Sequence, residues 1–382
     1  MRNRIAERLL AVAVLSAAAA LAQDVPLPPG SVNFTLGSDS PLVSLGFSTR
    51  ESRATARGAA MVLDLHLSIP LRNISPKRIR GIALRLVSQD VTLGGQASVS
   101  LTSLNVGPGE LVTARIDRAL IRPTQAAGGP LVEIFLDGVL FDDLSFYGPD
   151  RLNSRRTMTA WEKEAQRDRD YFKRVLAMSG RDGLGREMRA SMARQAGVPQ
   201  LDVRLQRAPA VGSAAIPQAE RSEKFAFVDF ADAPVAPIQG WAMVSGNEVR
   251  APRIQVANRS TKPIKHVELG WLVSDSSGQQ YMAATLPSSD PDLYLPAGKT
   301  ARVEQDTTLR FSRNGRPVNV QAMSGFISQV EFADGKIWVP SRQNLDRDVL
   351  RKVLPPSAEE QRLIDLYVRK GPDALIEELK KY

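Results

Sequence analysis

Two histidines, His66 and His266, and a few closely spaced aspartates are the side chains of this chain best suited by type to do chemistry. A histidine can relay protons or bind a metal, but either task needs convergent partners. His66 stands in "MVLDLHLSI", where Met61, Leu63, Leu65, Leu67 and Ile69 alternate as an apolar face. It therefore falls on the opposite, polar face with Asp64 and Ser68. His266 falls at a turn-to-strand corner in a distant part of the chain. Histidines in separate domains cannot build a zinc site, and no cysteine exists to complete one. Nothing resembles a nucleophile elbow. Both histidines are read as exposed strand residues without companions.

Carboxylates leave a narrower opening. Asp290 and Asp292 lie two apart in "LPSSDPDLYLP", and Asp142-Asp143 follow a predicted hairpin. Two carboxylates can cleave a glycoside, and spaced aspartates in a loop can bind calcium. Pro291 and the absence of a glycine-centred calcium loop favour a structural turn, with calcium and catalysis as the alternatives. Trp271 and Trp161 read as core residues, while Trp241 and Trp338 read as core or edge. Tyr281 and Tyr294 near the aspartate loop keep glycan binding open. No catalytic, cofactor-binding or metal-ligating residue is assigned, and no cofactor is implied.

The elements around these residues are written twice. "LRNISPKRIRGIALRLVSQD" (Leu71 to Asp90) returns as "VANRSTKPIKHVELGWLVSD" (Val256 to Asp275). Aligning Asn73 with Asn258 brings Ser75 onto Ser260 and Lys77 onto Lys262. Ile82, Leu84 and Leu86 then fall on Val267, Leu269 and Trp271. These alternate positions predict one buried face of an antiparallel strand, with Ala83, Arg85, Glu268 and Gly270 on the other face. "VGPGELVTARI" from Val106 matches "LPAGKTARVEQ" from Leu295. "VEIFLDGVLF" from Val132 is paired with "VEFADGKIWV" from Val330, each with Asp-Gly as a tight hairpin turn. "DRDYFKRVL" from Asp168 is paired with "DRDVLRKVL" from Asp346 as the entry to a helical tail.

The arrangement N-x-S-x-K, then an alternating strand and an acidic turn, resembles the immunoglobulin- or fibronectin-type modules of exported bacterial envelope proteins. The resemblance covers the β part of both copies, lacks the Cys and Trp of antibody domains, and carries over no functional residue. It implies binding or scaffolding. The expected fold is mainly β with helical appendages: two tandem immunoglobulin-like β-sandwiches, each followed by helices. The sandwiches span residues 23–150 and 225–343, the helical segments 151–197 and 344–382, and a Pro/Ala-rich linker 198–224, in which "LDVRLQ" alternates like a strand. Met158, Trp161, Ala165, Phe172 and Val175 form a helical stripe interrupted only by Asp168. Thr159-x-x-Glu162 and Ser357-x-x-Glu360 read as capping boxes, and Gly371-Pro372 as a helix stop.

Residues 1–22 read as a signal peptide. Arg2, Arg4 and Arg8 precede an apolar run too short to span a bilayer, and Ala20-Leu21-Ala22 precedes Gln23 as a small-x-small cleavage site. A periplasmic or secreted protein is expected, without disulfides because cysteine is absent. The bacterial style of composition makes the sequons at Asn33, Asn73 and Asn258 chance matches of turn-forming residues. The net charge of +9 favours anionic envelope polymers or acidic proteins as partners. No basic stretch carries stacking aromatics, which excludes nucleic acid, and no transmembrane segment remains after cleavage. These readings combine to an exported, non-catalytic protein mediating protein contacts or scaffolding in the envelope. Binding of cell-wall or other polysaccharide, or carboxylate-based hydrolysis, are the alternatives.

Overall fold

The first copy alternates short and long strands before a long helical segment that is broken once, at Gly180. Its elements are β1 (Asp24–Pro26), β2 (Val32–Thr35), β3 (Leu42–Ser44), β4 (Arg53–Arg57), β5 (Ala60–Asn73), β6 (Ile79–Val87), β7 (Gln96–Leu101), β8 (Leu111–Pro123), β9 (Val132–Phe141), β10 (Phe146–Tyr147) and α1 (Ser154–Gly197). The structure, a computed structural model, describes residues 24–28, 30–89, 94–124, 129–199, 201–207, 220–287, 293–304 and 307–382. The signal peptide and the Asp290/Asp292 pair lie outside the described residues, as do residues 208–219 of the linker.

The second copy repeats this order. It comprises β11 (Asp202–Arg207), β12 (Arg221–Lys224), β13 (Ala226–Phe227), β14 (Val235–Ser245), β15 (Glu248–Asn258), β16 (Ile264–Asp275), β17 (Gln280–Pro287), β18 (Thr300–Glu304), β19 (Thr307–Arg313), β20 (Arg316–Pro317), β21 (Val320–Phe332) and β22 (Ile337–Trp338). Helices α2 (Arg342–Leu345), α3 (Asp348–Arg351) and α4 (Ala358–Lys380) complete the chain. The protein is mainly β with helical parts, as its turn-punctuated alternation predicts.

Strand pairing repeats as well. β5 carries β4 and β3 on one edge, at residues 60–64 and 71–73, and β8 along the other. β15 likewise carries β14 on one side and both β18 and β19 on the other. The second sheet of each copy centres on β9 or β21, which takes a parallel strand at one end, β2 or β13. In the second copy, residues of both sheets fill one core, with Val249, Val256 and Phe311 from one side and Val267, Trp271 and Val330 from the other.

Compactness divides the chain elsewhere than its repeat does. One unit holds the described residues up to Ile74 with Leu84–Val99 and Gly109–Leu136; the other holds Ser75–Ala83, Ser100–Pro108 and Asp137–Tyr382. The boundary thus passes along β6, β7 and β9 of the first copy rather than through residues 198–224. The segment read as linker is largely strand where it is described. β11 pairs with β19 along its whole length, and Val203 packs against the second core. β12 pairs with β14, and the Arg221 guanidinium donates to the Val320 and Gln321 carbonyls at 2.7 Å. The alternation of "LDVRLQ" marks β11 in the sequence, whereas "RSEK" (β12) carries no such mark because an edge strand needs few apolar residues.

The repeated Asn proves to be a structural plug. Asn258 is buried; its Nδ2 donates to the Lys262 and Leu295 carbonyls at 2.8 and 3.0 Å, and its Oδ1 accepts from the Ser260 N–H and hydroxyl. Lys262 then pairs with Asp334 at 2.6 Å, as Lys77 pairs with Asp143 at 2.7 Å in the first copy. N-x-S-x-K therefore closes a corner, and a buried, engaged amide is no glycan acceptor. Asn258→Ala leaves the Ser260 N–H without its partner and removes one of two donors from each of the Lys262 and Leu295 carbonyls. The expected loss is about 1–3 kcal/mol, read from the urea midpoint.

The end of the repeat aligns differently from the sequence reading. Asp334-Gly335 is a turn, with Gly335 at φ 78° and the Lys336 N–H on Asp334. Asp137-Gly138, in contrast, lies inside β9, and Asp137 is buried. The first-copy turn is Asp142-Asp143-Leu144, with Leu144 at φ 63°. The helical tails follow the same correction. Gly180 (φ 63°) kinks α1 and Gly371 (φ 82°) kinks α4. Phe172, Leu184 and Met188 of one tail then share a core with Leu363, Leu375 and Leu379 of the other. "DRDVLRKVL" instead runs from the end of α2 through the short α3 and past it.

Candidate functional site

Helix α1 is set in place by Asp137, the first residue of the Asp-Gly pair that reads as a turn. The Asp137 carboxylate accepts the N–H groups of Arg151 and Leu152 at 2.9 and 3.3 Å and the Ser154 hydroxyl at 2.5 Å. These bonds supply partners at the helix start, where Asn153 is in the left-handed region and makes no side-chain cap. The helix therefore begins before the predicted Thr159/Glu162 box, and both of those residues lie buried inside it. Ser357 does cap α4, accepting the Glu360 N–H at 3.1 Å.

One side of α1 meets the first copy and another meets the second. Met158 packs with Ala83 and Leu140, and a Cβ added at Gly81 would meet its sulfur at 2.8 Å. Arg156 pairs with Glu331 of β21. Strands read as half-buried are thus covered on both faces: Ala83 and Gly270 are buried although they sit opposite the apolar set. Of the predicted stripe, Met158, Ala165 and Phe172 are buried, Val175 is half-buried, and Trp161 is 38 % exposed.

Charged side chains fill the seam between α1 and α4. Arg169 donates to Glu162 at 2.5 Å and lies 3.4 Å from Glu359, all three buried. Arg362 holds Glu359 at 2.8 Å and Glu378 at 2.7 Å. The Tyr382 ring lies over the guanidinium groups of Arg80 and Arg169, 4.6 and 4.1 Å from its centre. Asp168 takes both arms of Arg167 at 2.9 Å and the Ser357 hydroxyl at 2.6 Å. Arg342 bridges Asp168 and Glu360. Burial opposes ionisation of Asp168, but hydrogen bonds and charge from Arg167, Ser357 and Arg342 outweigh it and lower its pKa. The Arg80–Glu162 contact is looser at 3.9 Å. There burial prevails over attraction, raising the Glu162 pKa and lowering that of Arg80.

Two cavities adjoin this seam. One, of about 270 Å³, is walled by Met282, Phe326, Leu345, Leu354, Pro355 and Pro356, with Arg194, Arg342 and Arg351 among its polar groups. The other, of about 450 Å³, is walled by Arg156, Trp161, His266, Glu268 and Gln329. Glu164 and Ser328 line both.

Glu164 is the most perturbed carboxyl facing open space. Burial pushes its pKa from 4.5 up to about 7; the Arg167 charge opposes this, and Asp168 and Glu268 reinforce it. Around it stand Arg156 on its own helix, His266 on β16, and Arg194, Arg342, Asp346, Arg351 and Glu360 across the first cavity. The unfolded chain releases this proton near 4.5 and the folded chain near 7. Between those values the folded state binds more protons, so this group's contribution to stability is lost as pH rises. Relative to the parent, Glu164→Gln is expected to lack that decline across the window. Urea midpoints measured at intervals from pH 4 to pH 8 check it.

The residues singled out in the sequence do not converge. His66 is half-exposed on β5, with Nδ1 at 2.8 Å from Asp117 and Nε2 at 3.4 Å from Asp64. Asp64 is the neighbour that alternation already puts on this face, whereas Asp117 comes from β8 and leaves no local signal; hydrogen bonds to both, Asp117 first, raise the His66 pKa. His266 is 4 % exposed rather than an open strand residue, and lines the second cavity with residues of α1. Asp143 is engaged by Lys77 and Ser145, which hold its carboxyl at about 2. Tyr281 is buried with its hydroxyl on Asp275, while Tyr294 is 71 % exposed. Trp271 is in the second core, and Trp338 is half-buried against it. Trp241 is half-buried on β14. Among the described residues, no group of three or more His, Cys, Asp or Glu is placed to hold a metal ion. Nor is any helix among them long and apolar enough to cross a membrane.

No protein-family model and no curated protein sequence matches the chain. Among solved structures, red sea bream transglutaminase aligns at 7 % identity with a TM-score of 0.12, over 75 % of this chain and 31 % of that one. The chain thus spans under a third of that enzyme. A two-domain protein of unknown function from Bacteroides fragilis NCTC 9343 aligns at 8 % identity with a TM-score of 0.11, over 71 % and 86 % of the two chains.

Proposed function

We propose that the protein is an exported, non-catalytic scaffold of the bacterial envelope, built from two immunoglobulin-like sandwich copies and acting through contacts with another protein. The observation that carries this reading is the charged seam around Arg169. It joins Arg80 of the first copy, α1 of the first tail, and Glu359 and Tyr382 of the second tail. A chain that commits this many buried charges to fixing its parts favours a rigid display of surfaces over an enclosed reaction centre. The leader-like residues 1–22 and the basic balance support an envelope address and an acidic partner. The test uses the chain without residues 1–22 as bait for envelope extract, followed by reconstitution with any purified candidate. A single protein bound at fixed stoichiometry with salt-sensitive affinity is the expected result. Sedimentation with wall polymer and no such protein would favour polysaccharide binding instead, and neither result would overturn both readings.

A further inference from the structure

One apolar cluster of the second copy is left unfinished by its own chain. Phe230, Phe326, Leu350 and Val353 form its buried centre, and Met282, Leu345 and Leu354 pack against them while staying only half-buried. Those three side chains, with Phe326, Pro355 and Pro356, wall the cavity of about 270 Å³, and its lining lies in one compact unit. Protein interiors leave few voids larger than a water molecule, and an apolar hollow of about 150 Å³ already takes up benzene. At about 30 Å³ per water, this cavity has the volume of roughly nine waters. Its apolar walls favour an occupant that removes them from water.

Most of the charged groups around the cavity are already committed. Arg167 is held by Asp168 and the Pro340 carbonyl, Arg194 by Glu187, and Arg342 by Asp168, Asp346 and Glu360. Arg351 differs. Its pair with Asp348 spans 3.3 Å between side chains 51 % and 84 % exposed, a contact that solvent makes worth little. The guanidinium can exchange that carboxylate for another at small cost. Of the acids on the wall, Asp346 and Glu360 are paired with Arg342, and burial pushes the Glu164 pKa up to about 7. Below neutrality Glu164 therefore adds little negative charge.

We infer that this cavity binds a small apolar monocarboxylate of about six to eight carbons, a size set by the volume above. The hydrocarbon body lies against Met282, Phe326, Leu345 and Leu354, and the carboxylate accepts from the Arg351 guanidinium. Medium-chain fatty acids and arylacetic acids share this chemistry. The site is independent of the protein-contact reading above, since it needs no macromolecular partner.

Titration calorimetry on the full chain at pH 6 tests it. The probes are hexanoate and phenylacetate, their neutral amides hexanamide and phenylacetamide, and acetate, which has the charge without the hydrocarbon. Saturable binding of at least one of the two acids is expected, at least tenfold tighter than its own amide and than acetate. Preference for hexanoate would point to a fatty acid, and preference for phenylacetate to an aromatic one. Arg351→Gln, at an exposed position that the fold does not depend on, should erase the preference for acid over amide. Arg369→Gln removes an exposed charge from α4 and should leave that preference intact. Leu345→Asn should weaken acid and amide alike, tenfold or more, with the urea midpoint confirming that the variant folds. No saturable binding of either acid, equal binding of acids and amides, an undiminished preference in Arg351→Gln, or unchanged binding in folded Leu345→Asn would overturn the inference.

Discussion

Replacing Arg169 with alanine is expected to cost about 3–5 kcal/mol of folding stability, the range for removing one partner from a buried ion pair. Arg169 stands between Glu162 and Glu359, two carboxylates that are themselves almost fully buried. Without its guanidinium Glu162 keeps the Gln166 amide at 3.3 Å and the loose contact to Arg80, and Glu359 keeps its pair with Arg362. The Tyr382 ring also loses the closest of its cations. Arg169→Lys should recover part of the loss, since an ammonium restores charge but cannot fork to two carboxylates. Arg369→Ala is the matched control, because its pair with Asp365 lies at 3.7 Å in solvent. That change is expected to cost under about 1 kcal/mol. Urea unfolding of the three variants reads the difference, and equal midpoints for Arg169→Ala and Arg369→Ala would show that the seam contributes no net stability.

The seam is the part of the molecule least legible in sequence. In "WEKEAQRDRD" the apolar stripe through Trp161 and Ala165 is legible, but the burial of Glu162 and Arg169 is not, because the partners Arg80, Arg342 and Glu359 of this stretch lie far away along the chain. Local alternation was more informative. It placed Ile82, Leu84 and Leu86 and their counterparts Val267, Leu269 and Trp271 in cores, and all are buried. It could not show that Ala83 and Gly270 are buried too. A small residue opposite an apolar set looks like an exposed face until something covers it. The repeat was legible from Asn73 and Asn258 through the Gly109 and Gly298 turns, whose N–H groups donate to the Asn73 and Asn258 carbonyls. It failed at Asp137-Gly138, where turn chemistry in the sequence serves a buried helix anchor. Glu164 escaped attention for a related reason: a lone Glu among charged neighbours carries no motif, and its setting comes from Glu268 and the desolvating walls of two cavities.

Trp271→Ala is expected to destabilise the protein by about 3–5 kcal/mol, at the upper end of single core truncations. The residue is 2 % exposed and lies in the second core, edge-on to Phe225 with ring centres 4.9 Å apart. Gly325 on the neighbouring β21 is paired with it, and a Cβ there would meet the indole at 3.1 Å. The close approach of backbone to ring means that deleting the indole opens a void that β16 and β21 cannot close without breaking their register. The indole N–H is buried with no hydrogen-bond partner among the described residues, so no polar bond is lost with it. Trp271→Phe, which keeps a ring against Phe225 and removes that unpaired donor, should therefore cost markedly less than alanine. The equivalent position in the first copy is Leu86, also fully buried but aliphatic, and Leu86→Ala is expected to cost about 2–5 kcal/mol. Chemical unfolding of the three variants orders them. A Phe variant as unstable as the Ala variant would mean that the indole's shape against Gly325, rather than the bulk it buries, holds this core.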